Sequence, residues 1–311
     1  MKFKKADRLK LSMLPLILVF ALLGTGRALY DISATINGQV YNVKRGEVGK
    51  LTPADWDLPF EEVSFKTKND LTVKGWFVDK KRTSRAVILA PGRGANRWDI
   101  LQDAPVRDLY ENNFDVLLFD PRSTGESDGK RYGFGYFESQ DIVHAVQFLR
   151  KEKGETSVGV WGGSAGASAA IIAGLESEGI DAIVADSPYA NLRIAASNLG
   201  REKKDRVMQM LFPLYMGVAR FTLNFDVYSK TNLAKRVNNL KVPLFLIHGL
   251  EDRALEPMNS QIIYENAEGP KRIWLVEGAW HVGAHEIYPE EYRKRVTSFF
   301  DSYLMRANGE G

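Results

Sequence analysis

The chain has 311 residues, of which 44% are hydrophobic and 26% are charged, and its formal net charge is +3. These values are typical of an ordinary globular protein, long enough for one large α/β domain with an insertion. No basic stripe with interleaved aromatic residues is present, which argues against a nucleic-acid-binding protein. The lack of cysteine excludes structural disulfides, thiolate chemistry and Cys-based zinc sites.

The first element is an uncharged apolar run, 11–26, that follows a strongly basic stretch. This order is typical of a secretory signal peptide or of a signal anchor, which we place at residues 1–28. The run is slightly short for a membrane span of about 20 residues, so a cleaved signal and a retained anchor both stay open. In either case we expect the basic flank to stay inside and the rest of the protein to be exported. The membrane is a partner of the anchored form.

Residues 29–60 are polar and show only a weak apolar pattern, which is interrupted by Gly38, Gly46, Gly49 and Pro53. We interpret them as a linker or docking segment and assign no chemistry to them. Regular alternation of apolar and polar runs starts at Glu61, so we place the main domain at residues 61–311.

Short β-branched runs and amphipathic stretches alternate throughout this domain. The first two runs predict an antiparallel strand pair that turns at Asn69 and Asp70. The predicted strands are 61–67, 71–79, 86–90, 115–119, a strand from 157 into the following turn, 180–185, 242–247 and 271–276. The predicted helices are 97–112, 137–153, 167–175, 257–267 and 289–305. This alternation requires an α/β fold with a mostly parallel, eight-stranded sheet covered by helices on both faces.

A tight turn follows the fifth predicted strand, in the sequence Gly162-Gly-Ser-Ala-Gly166. Strand, turn and small-residue helix are the context of a nucleophile elbow, with Ser164 at its apex. The glycines would let strand and helix approach closely, and the amide of Ala165 would point at a developing oxyanion. A phosphate-binding turn is the alternative, but no Walker sequence follows and the spacing of a dinucleotide fingerprint is absent.

An insertion at 189–239 is rich in large apolar residues at helical spacing. Its place between the sixth and seventh strands predicts a helical lid over the mouth of the site. The candidate substrate-binding residues are Met208, Leu211, Phe212 and Tyr215, because such adaptable apolar surfaces suit irregular apolar ligands. The same side chains could instead form the lid's own core, and both interpretations stay open.

An acid and a histidine follow in later loops. Asp252 comes after the seventh strand and His281 after the eighth, so both would lie at the carboxyl edge of the sheet with Ser164. His281 would take the serine proton and return it to the leaving group, while Asp252 would orient the imidazole. Asp186, after the sixth strand, is the rival candidate for the acid.

The remaining histidines carry no predicted chemistry. His144 lies in a predicted helix and His248 at a strand end, and both are expected to be structural. His285 stands four residues beyond His281, a spacing that binds metal on a helix. Gly283 between them favours a loop and no third ligand motif is present, so we predict neither a metal nor a cofactor.

The second oxyanion donor is expected from the loop after the third strand. The sequence Gly92-Arg93-Gly94 has the necessary backbone freedom, and the amide of Arg93 is the predicted donor. A turn without a ligand is the alternative. The stretch 120–127, after the fourth strand, is expected to lock the loop beneath the elbow.

Together these motifs resemble the α/β-hydrolase superfamily from about Glu61 onward, and within it a branch similar to serine aminopeptidases and monoacylglycerol lipases, some of whose bacterial members are tethered to membranes. The motifs that carry the resemblance are Pro91–Gly94, Asp120–Ser127, Gly162–Gly166, Ala185–Tyr189, His248–Asp252 and Gly278–His281. The resemblance implies an α/β-hydrolase fold and a serine–acid–histidine triad. Two positions depart from it, since Pro91 stands where histidine is common and Ser123 where glycine is usual.

The sequence therefore favours a serine hydrolase that cleaves an ester, thioester or amide through an acyl-enzyme. An esterase- or lipase-like preference for apolar acyl groups is expected because the lid is apolar. A serine peptidase or aminopeptidase is the enzymatic alternative, and Glu251, Glu256 and Asp186 are its candidate acidic groups for holding a substrate amine. A non-catalytic binding protein with the same fold is the alternative from another class.

Overall fold

A computed structural model describes residues 26–41, 43, 45–81, 83–103, 105–198 and 204–305. Its strands are β1 Phe60–Lys66, β2 Thr72–Val78, β3 Arg85–Ala90, β4 Asp115–Phe119, β5 Ser157–Gly163, β6 Ala182–Asp186, β7 Leu244–Gly249 and β8 Lys271–Val276. They form one sheet in the order β1-β2-β4-β3-β5-β6-β7-β8. The pairs β1–β2 and β2–β4 are antiparallel and all other pairs are parallel. The predicted α/β architecture is confirmed.

Helices lie before, between and after these strands. They are α1 26–41, α2 Arg97–Asp103, α3 Val106–Glu111, α4 Tyr136–Phe148, α5 Ala165–Glu176, α6 Leu192–Asn198, α7 Lys204–Leu223, α8 Val227–Lys230, α9 Leu233–Arg236, α10 Met258–Asn266, α11 Ala284–Ile287 and α12 Pro289–Tyr303. The prediction of a single helix over 97–112 is wrong. Pro105 interrupts it, because proline lacks the amide hydrogen that a helix interior needs.

The central strands are covered on both faces. Ile88 of β3 belongs to an apolar cluster that contains Ile171 of α5, whereas its neighbour Leu89 belongs to a second cluster that contains Phe300 of α12. Successive side chains of a strand point to opposite faces of the sheet. Because both faces are covered, every residue of β3, β4 and β5 is buried. Two helical layers therefore hold the sheet rigid, and the site at its carboxyl edge rests on that frame.

Two buried ion pairs brace the loop that follows β4. Arg97 Nη1 lies 2.5 Å from Asp120 Oδ2, and Arg122 Nη2 lies 2.6 Å from Asp141 Oδ1. The two carboxylates also accept backbone amide hydrogens, from Arg97 and Arg122 respectively. Each buried charge is thus paired and hydrogen-bonded, which is the condition for tolerating it in the interior.

A third apolar cluster lies outside the two faces of the sheet. Ile32, Ile36 and Val40 of α1 stand four residues apart on one helical face and pack with Ala219 and Leu223 of α7. The segment 29–60, interpreted from sequence as a linker or docking segment, thus begins with a helix that contacts the insertion between β6 and β7.

The predicted signal peptide or anchor at 1–28 falls mostly on residues 1–25, which lie outside the described part of the chain. Its last three residues belong to α1. Among the described residues, no helix has the length and apolar character that crossing a bilayer requires. The membrane segment stays a prediction.

Candidate active site

Ser164 occupies the turn between β5 and α5. Its φ of 56° and ψ of −121° lie in a region that a residue with a side chain rarely adopts. A Cβ on Gly166 would lie 2.1 Å from the carbonyl oxygen of Ala90, and one on Gly162 would lie 2.5 Å from that of Gly166. Only glycine fits these two close approaches of backbone to backbone. The strained turn therefore projects the serine hydroxyl at the carboxyl edge of the sheet.

The structure brings the serine, the histidine and the predicted acid into one hydrogen-bonded chain. His281 Nε2 lies 2.8 Å from Ser164 Oγ, and His281 Nδ1 lies 2.7 Å from Asp252 Oδ2. The carboxylate can only accept at Nδ1, so Nδ1 carries the hydrogen and Nε2 is left to accept the serine proton. This arrangement can activate the hydroxyl as a nucleophile.

Donors surround both oxygens of Asp252. Oδ1 accepts the amides of Ala254 and Leu255 at 2.9 and 2.8 Å, and His248 Nε2 lies 3.2 Å from Oδ2. Burial alone would raise the pKa of Asp252, but hydrogen bonds from both imidazoles and the Leu255 amide hold that pKa well below its ordinary value. The acid is therefore ionised throughout the physiological range and can stabilise an imidazolium at residue 281.

His248 braces the loop that carries the acid. Its Nε2 donates to the carbonyl of Leu255 at 2.7 Å, and its Nδ1 accepts the hydroxyl of Ser260 at 2.6 Å. The side chain is completely buried. Sequence reasoning assigned this histidine no chemistry, although it stands only four residues before Asp252.

Asp186 does not hydrogen-bond to the histidine. Its oxygens accept the hydroxyls of Ser187 at 2.9 Å and Tyr292 at 3.0 Å, and Tyr292 in turn accepts the indole hydrogen of Trp161. Burial raises the pKa of Asp186 to about 6, although the bonds from Ser187 and Tyr292 oppose the rise. Of the two candidate acids, only Asp252 is in hydrogen-bond contact with His281.

The loop that carries His281 is anchored through its next residue. Val282 adopts a φ of 56°, a costly conformation for a β-branched side chain. Its amide donates to Ser187 Oγ at 3.1 Å, and that hydroxyl donates to Asp186. Asp186 and Ser187 thus hold the backbone beside the histidine.

The two backbone amides predicted to bind an oxyanion, those of Arg93 and Ala165, lie next to Ser164 in the structure or in the chain. Ala165 begins α5, so its amide points outward with the positive end of the helix dipole. A Cβ on Gly92 would lie 3.4 Å from the Cβ of Ser164, which puts the loop of Arg93 directly beside the nucleophile. Among the described residues we find no protein acceptor for the amides of Arg93 and Ala165. Both are therefore available to a substrate oxygen.

Ser164 and His281 open into a cavity of about 490 Å³, within the range of about 300–1,000 Å³ typical of small-molecule sites. Of the predicted substrate-binding residues, Phe212 and Tyr215 line this cavity. Leu211 is not among its lining residues, because adjacent residues of a helix point about 100° apart. Met208 lies outside the described side chains.

Helix α1 also contributes to this cavity. Thr35, Ile36 and Gln39 line it together with the insertion. Sequence reasoning gave the segment 29–60 no chemistry and missed these residues. The available signal was the four-residue spacing of Ile32, Ile36 and Val40, which is typical of a helix with one apolar face.

The other histidines lie apart from this centre. His285 Nε2 lies 3.3 Å from Asp108 Oδ2, and His144 accepts the amide of Lys68. Within the part of the chain that the structure describes, no group of three or more His, Cys, Asp or Glu side chains is arranged to hold a metal ion.

Comparisons with known proteins agree with this geometry. Residues 81–222 match the family of serine aminopeptidase S33. The esterase Pf2001 of Pyrococcus furiosus is similar in structure, with a TM-score of 0.71 and 28% identity over 85% of this chain and 98% of that one. Protein YqkD of Bacillus subtilis (strain 168) is 25% identical over 74% of this chain and 75% of its own length. Acyltransferase drtE of Aspergillus calidoustus is 24% identical over 78% of this chain and 95% of its own length.

The sheet topology and these matches both indicate which fold the chain adopts. The sheet order, the elbow after β5 and the insertion after β6 agree with the fold implied by the sequence motifs. The similarity to Pf2001 extends over 85% of this chain and nearly the whole of that esterase, so it does not depend on a single motif. The chain therefore has the α/β-hydrolase fold, and the family match together with the similarity to Pf2001 supports a place in the α/β-hydrolase superfamily.

Proposed function

We propose that this protein is a serine esterase that hydrolyses esters of apolar acyl groups through an acyl-enzyme. The observation that carries the proposal is the hydrogen-bonded chain from Ser164 through His281 to Asp252, opening into the cavity. Ser164 is the nucleophile, His281 the general base and acid, and Asp252 the residue that orients the imidazole.

The reaction follows from this geometry in two halves. As Ser164 Oγ bonds to the ester carbon, its proton moves to His281 Nε2 and the amides of Arg93 and Ala165 bind the developing oxyanion. The intermediate collapses, the bond to the alcohol oxygen breaks, and the imidazolium protonates that oxygen. Water then repeats the attack with His281 as its base, which releases the acid and restores the serine.

The lining of the cavity favours esters of apolar acids. Its side chains are mainly aliphatic and aromatic, among them Phe134, Leu192, Phe212, Met216 and Leu223. Such a surface binds a hydrocarbon chain through the hydrophobic effect. The similarity to the esterase Pf2001 supports the same proposal.

A peptidase is less well supported. An aminopeptidase holds a substrate amine with an acidic side chain, but no Asp or Glu is among the described residues that line the cavity. Asp186 is fully buried and occupied by Ser187 and Tyr292. Glu251 and Glu256 do not line the cavity.

The first prediction concerns the nucleophile. Ser164→Ala should lower ester hydrolysis by about 10³-fold or more, because the acyl-enzyme cannot form. It should also abolish labelling by a fluorophosphonate probe, which reacts with an activated serine. A panel of p-nitrophenyl esters, run beside aminoacyl-nitroanilides, measures both the activity and the preferred bond.

Ser302→Ala is the matched control, since that serine is exposed on α12 far from the elbow. It should keep both labelling and turnover. Unchanged hydrolysis in Ser164→Ala would remove the assigned nucleophile, and a folded wild-type protein that does not label would favour a binding protein. Cleavage of the nitroanilides alone would favour the peptidase.

A further inference from the structure

Helix α1 is fixed to the catalytic domain at two places beside the active site. Arg93 Nη2 donates to the side-chain oxygen of Gln39 at 2.6 Å, so α1 contacts the loop that supplies an oxyanion amide. The carbonyl of Val40 accepts the amide of Tyr132 at 2.8 Å, and the Tyr132 ring lines the cavity. The C-terminal end of α1 therefore lies at the catalytic end of the cavity.

The middle of α1 is fixed to α7. Ser33 Oγ lies 3.3 Å from Thr222 Oγ1, and the buried Ile36 packs with Ala219 and Leu223. Helix α1 thus runs from α7 to the oxyanion loop and closes the space between them. Without it, the cavity would lose one wall.

The lining residues of α1 lie at different distances from the oxyanion loop. Gln39 stands next to the oxyanion loop, whereas Thr35 and Ile36 stand about one helical turn, or ~5.4 Å, further from it. A short acyl group bound at Ser164 stays near the catalytic end. A longer acyl chain that extended along the cavity would meet the part of the wall lined by Thr35 and Ile36.

We propose that α1 is the specificity-determining wall of the acyl site, and that Thr35 and Ile36 set the length of the apolar acyl chain that the enzyme accepts. The inference rests on the proposed esterase function and narrows its substrate class to esters of fatty acids whose chain is limited in length by the α1 wall. Ile36 forms the apolar surface of the wall, and Thr35, on the cavity side of the same turn, is where added bulk would shorten the space.

The experiment compares two neighbouring positions on α1. Thr35 and Ala34 are both exposed, but only Thr35 lines the cavity. Thr35→Trp and Ala34→Trp are therefore a matched pair, and thermal melting checks that both variants fold. The measured quantity is the ratio of kcat/KM for p-nitrophenyl decanoate to that for p-nitrophenyl acetate. A second measurement follows binding without turnover. Each tryptophan substitution is combined with Ser164→Ala, and decanoate is titrated into each double variant by calorimetry.

Thr35→Trp should lower the decanoate-to-acetate ratio by about tenfold or more, the size of effect that steric changes in an apolar pocket produce. It should weaken decanoate binding by a similar factor, while Ala34→Trp keeps both values of the wild type. Equal ratios and equal binding in the two variants would overturn the role of α1. A wild type that binds decanoate in a Thr35-dependent way but hydrolyses no ester would reject the esterase and keep the acyl site.

Discussion

Two buried aspartates, Asp252 and Asp186, follow neighbouring strands at the same edge of the sheet, yet their chemistry differs. Asp252 is met by two amides and two imidazoles, which favour its charged form. Asp186 is met by two hydroxyls in a completely buried position, and they do not offset the loss of water. The number and kind of donors, and not the position in the chain, thus decide which carboxylate serves the histidine.

This difference gives a prediction for activity. Asp252→Asn should lower kcat by about 10³–10⁴-fold, because an amide hydrogen facing Nδ1 favours the wrong tautomer of His281. Asp186→Asn should lower it by less than about tenfold, because the amide oxygen still accepts one hydroxyl and the loop of His281 stays in place. Steady-state hydrolysis of p-nitrophenyl esters measures both, with folding checked by circular dichroism. The reverse ranking would assign the acid to Asp186.

Asp186 also gives a prediction for stability. Its pKa rises from the ordinary 3.8 to about 6 on folding, so between these pH values the folded state holds a proton that the unfolded state has lost. Stability from this group is therefore present at low pH and is lost as the pH rises towards 6. The loss is on the order of 2–3 kcal/mol, since one pKa unit corresponds to about 1.4 kcal/mol.

Urea unfolding at pH values between 4 and 7 measures this loss. Asp186→Asn should show a smaller fall in the free energy of unfolding than the wild type across that interval. Burial also raises the pKa of Glu138 to about 7, but Glu138 contributes equally to both proteins. Parallel pH profiles for the two proteins would contradict the assignment.

At the scale of single elements, two helical glycines have opposite surroundings. A Cβ on Gly166, in the first turn of α5, would overlap the carbonyl oxygens of Ala90 and Pro91. A Cβ on Gly217, in α7, would meet no atom within 4 Å. The same substitution should thus destroy one packing contact and leave the other helix intact.

Gly166→Ala should destabilise the protein by about 3 kcal/mol or more, because it forces β3 and α5 apart. Gly217→Ala should be neutral or stabilise by up to about 1 kcal/mol, through the higher helix propensity of alanine. Urea unfolding followed by circular dichroism compares the two. Equal effects would show that α5 does not pack against β3 as described.

The elements of the sheet could be predicted from the sequence because each strand has a short apolar run bounded by polar turns. β4 and β8 begin and end at the predicted residues, whereas the helix predicted over 97–112 is split into α2 and α3 at Pro105. Helix α1 was missed because only three of its apolar residues are buried against its partner. Its helical state depends on α7, a partner that local sequence does not name.

The candidate site could be predicted in part for a related reason. The order of Ser164, Asp252 and His281 follows from strand order, since consecutive loops at the carboxyl ends of parallel strands meet at one edge. The contact of Ser187 with the Val282 amide joins loops 95 positions apart in sequence, and the wall supplied by α1 comes from outside the sheet altogether. No local pattern encodes such contacts.

At the scale of the whole molecule, the described residues form two large apolar clusters on the sheet and one small cluster between α1 and α7. Hydrogen exchange followed by mass spectrometry should therefore show α1 and α7 exchanging at least about tenfold faster than β3 and β5, since few apolar contacts hold them closed. Equal protection in all four elements would contradict this prediction, because it would mean that α1 and α7 unfold together with the sheet as a single cooperative unit.

The contact between Ser33 and Thr222 joins residues 189 positions apart. During synthesis at about 5–20 residues per second, Ser33 is added to the chain roughly 10–40 s before Thr222. Throughout that interval the apolar face of α1 lacks its partner helix, and when Ser164 is added the cavity around it is still incomplete. The cavity that the proposed esterase needs is thus completed late in translation, and its proposed base, His281, is added later still.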